Sequence, residues 1–175
     1  CRNQGQKIRL LLNDLTKRKA NVALARTSFQ SGGASYSAGT VLVDRLPDFP
    51  ALAKKYHLQA KGLSARPQVK TDNLKEVRLG LYKPWAASMD EGWTRWLLEQ
   101  YEFNLKSVDN KDIKAGNLNN AFDAIVLPDV EKEIISEGKP KREEGQMKYY
   151  EELPPEYSGG IGKDGVKNLK DFISL

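Results

Sequence analysis

The charge of this chain changes sign partway along its length, and that step constrains its folding more than any other feature. Residues 1–70 carry 13 Lys/Arg against 3 Asp/Glu, a formal +10, whereas residues 71–175 carry 15 against 20, a formal −5. The step coincides with a linker-like stretch, Ser64-Ala65-Arg66-Pro67-Gln68-Val69-Lys70-Thr71-Asp72-Asn73. A composition boundary on a polar, Pro-containing segment marks separate modules. The expected division is a basic module over 1–70, a linker over 71–76 and an acidic domain over 77–175. A total length of 175 residues leaves each module only a modest core.

The overall +5 and pI of 9.2 therefore average two unlike halves and do not by themselves mark a nucleic-acid binder. The basic segment (Arg2, Lys7, Arg9, Lys17, Arg18, Lys19, Arg26) has one aromatic nearby, Phe29, and lacks the alternating aromatics of a single-strand platform. Docking on an acidic partner, or on the acidic module, accounts for the charge. No apolar run approaches the roughly 20 residues of a membrane span. One Cys and one His, Cys1 and His57, exclude an intrachain disulfide and a Cys/His zinc cluster. No signal-peptide pattern of basic start, apolar stretch and small-residue cleavage site is read, and Cys1 reads as an arbitrary boundary rather than a lipidation site.

In the first module, Ile8, Leu11, Leu12 and Leu15 stand at the i, i+3, i+4, i+7 spacing of one helical face. That helix should end at Lys17-Arg18-Lys19, where cations suit the negative end of its dipole. Val22–Ala25 reads as a strand, Ser31-Gly32-Gly33 and Ala38-Gly39 as turns, and Thr40–Val43 as a second strand. Phe49, Leu52, Ala53 and Tyr56 mark a second helix, with Asp48 as its cap and Pro50 in its first turn. The module is α-β-β-α, with a last short strand expected near Leu63.

The acidic domain opens on the strand Val77–Tyr82. Ser88 and Glu91 match an S-x-x-E capping box. The helix behind it carries Met89, Trp93, Trp96, Leu97 and Tyr101 on one stripe, which reads as core. Leu105–Val108 and the apolar Ala124–Leu127 supply two more strands, separated by a polar helical or turn region over 109–118. Strand, helix, strand, helix, strand with an apolar third strand implies a parallel sheet covered on both faces. A charged excursion over 129–157 follows. The closing helix is marked by Val166, Leu169, Phe172 and Ile173. With no fourth strand after it, the domain is expected to be incomplete, with the third strand left at an exposed sheet edge.

Catalytic signatures are weak. Gly160-Ile161-Gly162-Lys163-Asp164-Gly165 matches G-x-G-x-x-G, but the dinucleotide motif needs a strand immediately before it. Pro154-Pro155-Glu156-Tyr157 is no strand, so the glycines read as a close approach to the last helix. A Walker A reading fails because Asp164 follows Lys163. His57 closes a helix with no second ligand spaced to join it. The pairs Asp90/Glu91, Glu143/Glu144 and Glu151/Glu152 are sequence neighbours and read as solvated charge.

The stretch Leu79-Gly80-Leu81-Tyr82-Lys83-Pro84-Trp85-Ala86-Ala87-Ser88-Met89-Asp90-Glu91-Gly92-Trp93-Thr94-Arg95-Trp96 carries a resemblance to a known group. With Ala115–Leu118, Phe122–Pro128, Pro155–Gly162 and Tyr36–Thr40, it resembles the region downstream of the peptidase domain in large bacterial zinc carboxypeptidase-type metallopeptidases. The resemblance spans nearly the whole chain and is specific over 79–96. It implies a small α+β module followed by a truncated flavodoxin-like domain, similar to class I glutamine amidotransferases. The amidotransferase nucleophile, a Cys on an elbow after the next strand, has no counterpart in this chain. Nor has the peptidase's His-x-x-Glu, since Leu58-Gln59-Ala60 follows His57.

The expected function is a non-catalytic accessory or interaction region of a zinc carboxypeptidase-type parent, exported from the cell. Zinc and catalysis would reside in the parent's peptidase domain, which is the expected partner; no cofactor is expected in these residues. Pairing of two chains through the exposed sheet edge is a further expectation, whereas nucleic acid and a membrane span are not expected. The alternatives are an amidotransferase-like hydrolase whose nucleophile lies downstream, or a small-ligand binding module. The loops that would bind a ligand or partner carry Lys83, Trp85, Ser88, Asp129 and Tyr157, because open α/β sheets place ligands at the carboxyl ends of their strands.

Overall fold

The computed structural model describes residues 5–139, 155 and 158–174. It divides into two compact units, Cys1–Glu76 and Val77–Leu175.

The first unit opens with α1 (Lys7–Lys17), which buries Ile8, Leu11 and Leu15 as its apolar spacing requires. β1 (Val22–Ala25) follows, then a hairpin of β2 (Phe29–Ser31) and β3 (Ala34–Tyr36). Gly32 and Gly33 turn that hairpin at φ +54° and +73°, the left-handed values its two-residue loop demands. β4 (Val41–Val43) and α2 (Phe49–Lys55) come next, and β5 (Thr71–Asn73) ends the unit. The main sheet is antiparallel, in the order β4-β1-β5. Its core gathers Leu11, Leu15, Val22, Val41, Leu52, Tyr56 and Leu58.

Four expectations for this unit are corrected. The order is not α-β-β-α, because the chain on either side of the Gly32-Gly33 turn pairs as the β2–β3 hairpin. Residues 71–76 are not simply a linker: Thr71–Asn73 pairs with β1, Ala25 opposite Thr71 and Ala23 opposite Asn73, and Arg26 pairs with Asp72. A polar triplet at a sheet edge gives no apolar alternation to read. No strand forms near Leu63. Asp48 stands at the cap position of α2 but makes no side-chain cap bond, because its carboxylate accepts from Arg18 at 2.8 Å.

The second unit is mixed α/β around a parallel sheet. Its elements run β6 (Arg78–Tyr82), α3 (Met89–Gln100), β7 (Asn104–Val108), α4 (Asn110–Ala115), α5 (Leu118–Ala121), β8 (Ala124–Val126), α6 (Lys132–Glu137) and α7 (Gly162–Ile173). The strand order is β7-β6-β8, with Leu79 opposite both Leu105 and Ala124. Tyr82, Val108, Ile113, Leu118, Phe122 and Ile161 form the core on one face, with Val166, Leu169 and Phe172 of α7 packed against it. Leu79 and Leu81 alternate to the opposite face and are also buried, on the side where α3 meets β6. β8 is only half-buried and, among the described residues, has a neighbour on one side alone.

Two glycines, Gly160 before α7 and Gly165 within it, serve packing. A Cβ on Gly160 would sit 2.5 Å from the backbone of Ile135, Ser136 and Glu137, and one on Gly165 would meet Ile161. Within the charged stretch 129–157 the chain forms α6; 140–154 and 156–157 lie outside the described residues.

Candidate functional site

Three parallel strands bring their carboxyl ends to one edge of the sheet. β6 is central, and the chain leaves it through 83–88 into α3; it leaves β8 through 127–131 toward α6. Open parallel sheets hold ligands where the strand order reverses, outside the carboxyl ends of two adjacent strands. In this unit that position lies between the ends of β6 and β8.

One of the expected residues, Asp129, is tied there to the first turn of the helix that another, Ser88, caps. The Ser88 hydroxyl accepts from the Glu91 amide at 3.2 Å and caps α3. The first turn of α3 also carries Asp90, whose carboxylate accepts the Asp129 amide at 2.7 Å. This bond clasps the loop after β8 to the helix that follows β6. Lys83 is tied by its backbone, its amide donating to the Val108 carbonyl at 2.9 Å, while its side chain is exposed. Trp85 is 55% exposed. Tyr157 lies outside the described residues.

Asp90 was read from sequence as solvated charge. The signal that could have found it is its position in the first turn, two residues after a Ser cap, where an acid complements the helix dipole. Below the edge, the Tyr82 hydroxyl donates to Asn110 Oδ1 at 2.6 Å, both side chains buried. This bond ties the end of β6 to the start of α4. Ser88→Ala should lower stability by about 1 kcal/mol, the ordinary loss of a cap, measured by chemical denaturation of the second unit through its tryptophans.

The reciprocal half of the expected Ser88/Glu91 box is absent, because Glu91 turns to Arg95, accepting from Nε at 2.9 Å. A complete box forms instead between Asp109 and Asp112 at the start of α4. Arg95 also donates to Ser107 of β7 at 3.0 Å.

That ion pair overturns the expected core. Glu91 is buried and Thr94, Arg95 and Leu98 are half-buried, so α3 turns a largely polar side inward. Met89, Trp93, Trp96 and Leu97, expected to be core, are between 50% and 79% exposed. Trp93 and Trp96 meet edge to face at 6.1 Å. An amphipathic stripe normally faces its own core. Here the buried carboxylate is neutralised by Arg95 one turn along, which permits the reversed orientation. The four side chains form one exposed apolar stripe along α3, and contiguous exposed apolar patches mark interaction sites.

The Ser88 hydroxyl is occupied as a cap. His57 is exposed at φ +53° just past α2, in the first unit. Among the described residues no group of three His, Cys, Asp or Glu side chains could hold a metal, and no helix is long and apolar enough to cross a membrane. No family model, curated protein or solved structure matches the chain.

Proposed function

We propose that the chain is a non-catalytic interaction region of a zinc carboxypeptidase-type protein, and that its second unit is flavodoxin-like, of the class I glutamine amidotransferase type. The observation that carries the reading is the outward aromatic face of α3. The stretch on which the resemblance is most specific, residues 79–96, runs from the central strand into that face. The exposed side chains of that face, Met89, Trp93, Trp96 and Leu97, suit an interface, where Trp side chains commonly dominate the energy. The strand order β7-β6-β8 with α3 between the first two strands agrees with the opening half of a flavodoxin-like sheet. The occupant of the face is the parent's peptidase domain, which would hold the zinc.

The double substitution Trp93→Glu/Trp96→Glu tests this. Wild-type chain mixed with the parent's zinc peptidase domain should co-elute in size-exclusion chromatography, and the double variant should not. Its stability should stay within about 0.5 kcal/mol of wild type, as for surface positions. Failure of the wild type to co-elute would refute the partner, and a loss of several kcal/mol would place the tryptophans in a core.

A second reading, a small-ligand site at the carboxyl edge, draws on the Asp90–Asp129 clasp, which holds two loops together at the reversal of strand order. A ligand bridging Lys83 and that clasp would raise the melting temperature of the second unit by mass action.

A further inference from the structure

The charges around the outward stripe of α3 carry information about what covers it. The helix holds three acids, Asp90, Glu91 and Glu99, and one base, Arg95. Arg95 is spent on the inward side, donating to Glu91 at 2.9 Å and to Ser107 of β7 at 3.0 Å. It reaches Glu99 only at 3.8 Å, and the Glu99 side chain is 57% exposed. With about 3.6 residues per turn, Asp90 and Glu99 fall on opposite flanks of the stripe of Met89, Trp93, Trp96 and Leu97. The Asp90–Asp129 bond brings a second exposed acid to the start of the helix, and neither residue has an ion-pair partner among the described residues. The exposed charge that borders the stripe on α3 is therefore negative.

The two tryptophans add to that sign. Trp93 and Trp96 are 65% and 54% exposed and meet edge to face, with planes at 88° and centroids 6.1 Å apart. In this arrangement the edge of one ring covers at most one face of the other, so indole faces stay open to solvent. An indole face is electron-rich and attracts cations, guanidinium more often than ammonium. Arginine is the more weakly hydrated of the two cations and stacks flat on such a face, while its fork can meet a carboxylate. A purely apolar partner would leave Asp90 and Glu99 unmatched at the rim. A partner bearing arginines among apolar side chains answers the stripe, the ring faces and the flanking carboxylates together.

We propose that the α3 face recognises an arginine-bearing apolar surface, its guanidinium groups stacking on Trp93 and Trp96 between the carboxylates of Asp90 and Glu99. The inference rests on the reading of α3 as an interface and assigns the chemistry of what it meets, a basic patch with apolar side chains on the peptidase domain. The −5 of residues 71–175 would speed the encounter and make binding salt-sensitive.

A fluorescein-labelled amphipathic peptide of Arg and Leu, titrated with the full chain and followed by anisotropy, tests the proposal. The same peptide carrying citrulline, the uncharged isostere of arginine, should bind about tenfold more weakly or worse, and a Lys–Leu peptide should fall between them. Trp93→Leu/Trp96→Leu keeps the stripe apolar but removes the indoles, and should also lose about tenfold. Asp90→Asn/Glu99→Gln should weaken binding and reduce its dependence on salt. Circular dichroism verifies that both variants are folded. No binding of the Arg–Leu peptide, equal binding of the citrulline or Lys–Leu peptide, undiminished binding by Trp93→Leu/Trp96→Leu, or preferential displacement by phosphatidylcholine vesicles would each overturn the proposal. Arg–Leu binding without co-elution of the peptidase domain would uphold the arginine chemistry and refute that partner. Co-elution together with equal citrulline binding would do the reverse.

Discussion

Asp14→Ala should lower the stability of the first unit by about 2 kcal/mol, the scale of leaving a buried hydroxyl without its charged hydrogen-bond partner. Asp14 lies on the inward side of α1 and is only 9% exposed. Its carboxylate accepts from the Tyr56 hydroxyl at 2.8 Å and from Arg18, with Lys55 at 3.7 Å. It therefore joins α1 to the end of α2. Alanine leaves the Tyr56 hydroxyl buried without this acceptor and removes packing volume from beside Leu11 and Leu15. Hydrogen exchange of the α1 amides measures the loss; all three tryptophans, Trp85, Trp93 and Trp96, belong to the other unit.

The same carboxylate sets a pH dependence. Burial would raise its pKa, but the Tyr56 hydroxyl, Arg18 and Lys55 outweigh burial and hold it below the ordinary carboxylate range. A depressed folded-state pKa contributes stability that is complete above the unfolded value of about 3.9 and is lost as pH falls through the folded one. Acid should thus loosen α1 from α2, and Asp14→Asn should flatten that slope. Burial pushes Tyr56 up, with Lys55 opposing and Asp14 adding to the rise. Its contribution is present below the unfolded value of about 10 and lost as pH rises through the folded one.

Gly80→Val should cost the second unit about 3 kcal/mol or more, at the upper end of overpacking in a filled core. Gly80 is the middle residue of the central strand, paired with Lys106 on one side and Ile125 on the other. A Cβ there would lie 2.7 Å from Val108 Cγ2, 3.2 Å from Phe122 and 3.3 Å from Ile125. No rotamer of a branched side chain escapes three neighbours held by flanking strands. Combining Gly80→Val with Val108→Ala removes the nearest clash and should restore part of the loss. The non-additivity, read from tryptophan-monitored denaturation, reports that contact directly.

How far the sequence reaches differs from element to element. α1, β1 and β6 are legible because apolar residues at the right period fall on the faces they bury. The turn at Gly32-Gly33 is legible because only glycine adopts those angles freely. β5 is not, since Thr71-Asp72-Asn73 has no apolar alternation and becomes a strand only because β1 offers it an open edge. At the candidate site Ser88 can be read as a cap from sequence, but the Asp90–Asp129 bond spans 39 residues and exists only in the folded chain.

The charge step near residue 70 and the periodicities around it determine two units, an antiparallel one and a parallel α/β one, because local apolar spacing selects helix or strand before any long-range contact forms. Which way α3 faces is decided by tertiary structure alone. Its stripe of Met89, Trp93, Trp96 and Leu97 predicts burial, yet the Glu91–Arg95 pair and the Arg95 bond to Ser107 hold the other side against the sheet. A hydrophobic pattern specifies that a face is covered by something; whether its own sheet or a partner covers it depends on which other groups find their hydrogen bonds within the unit.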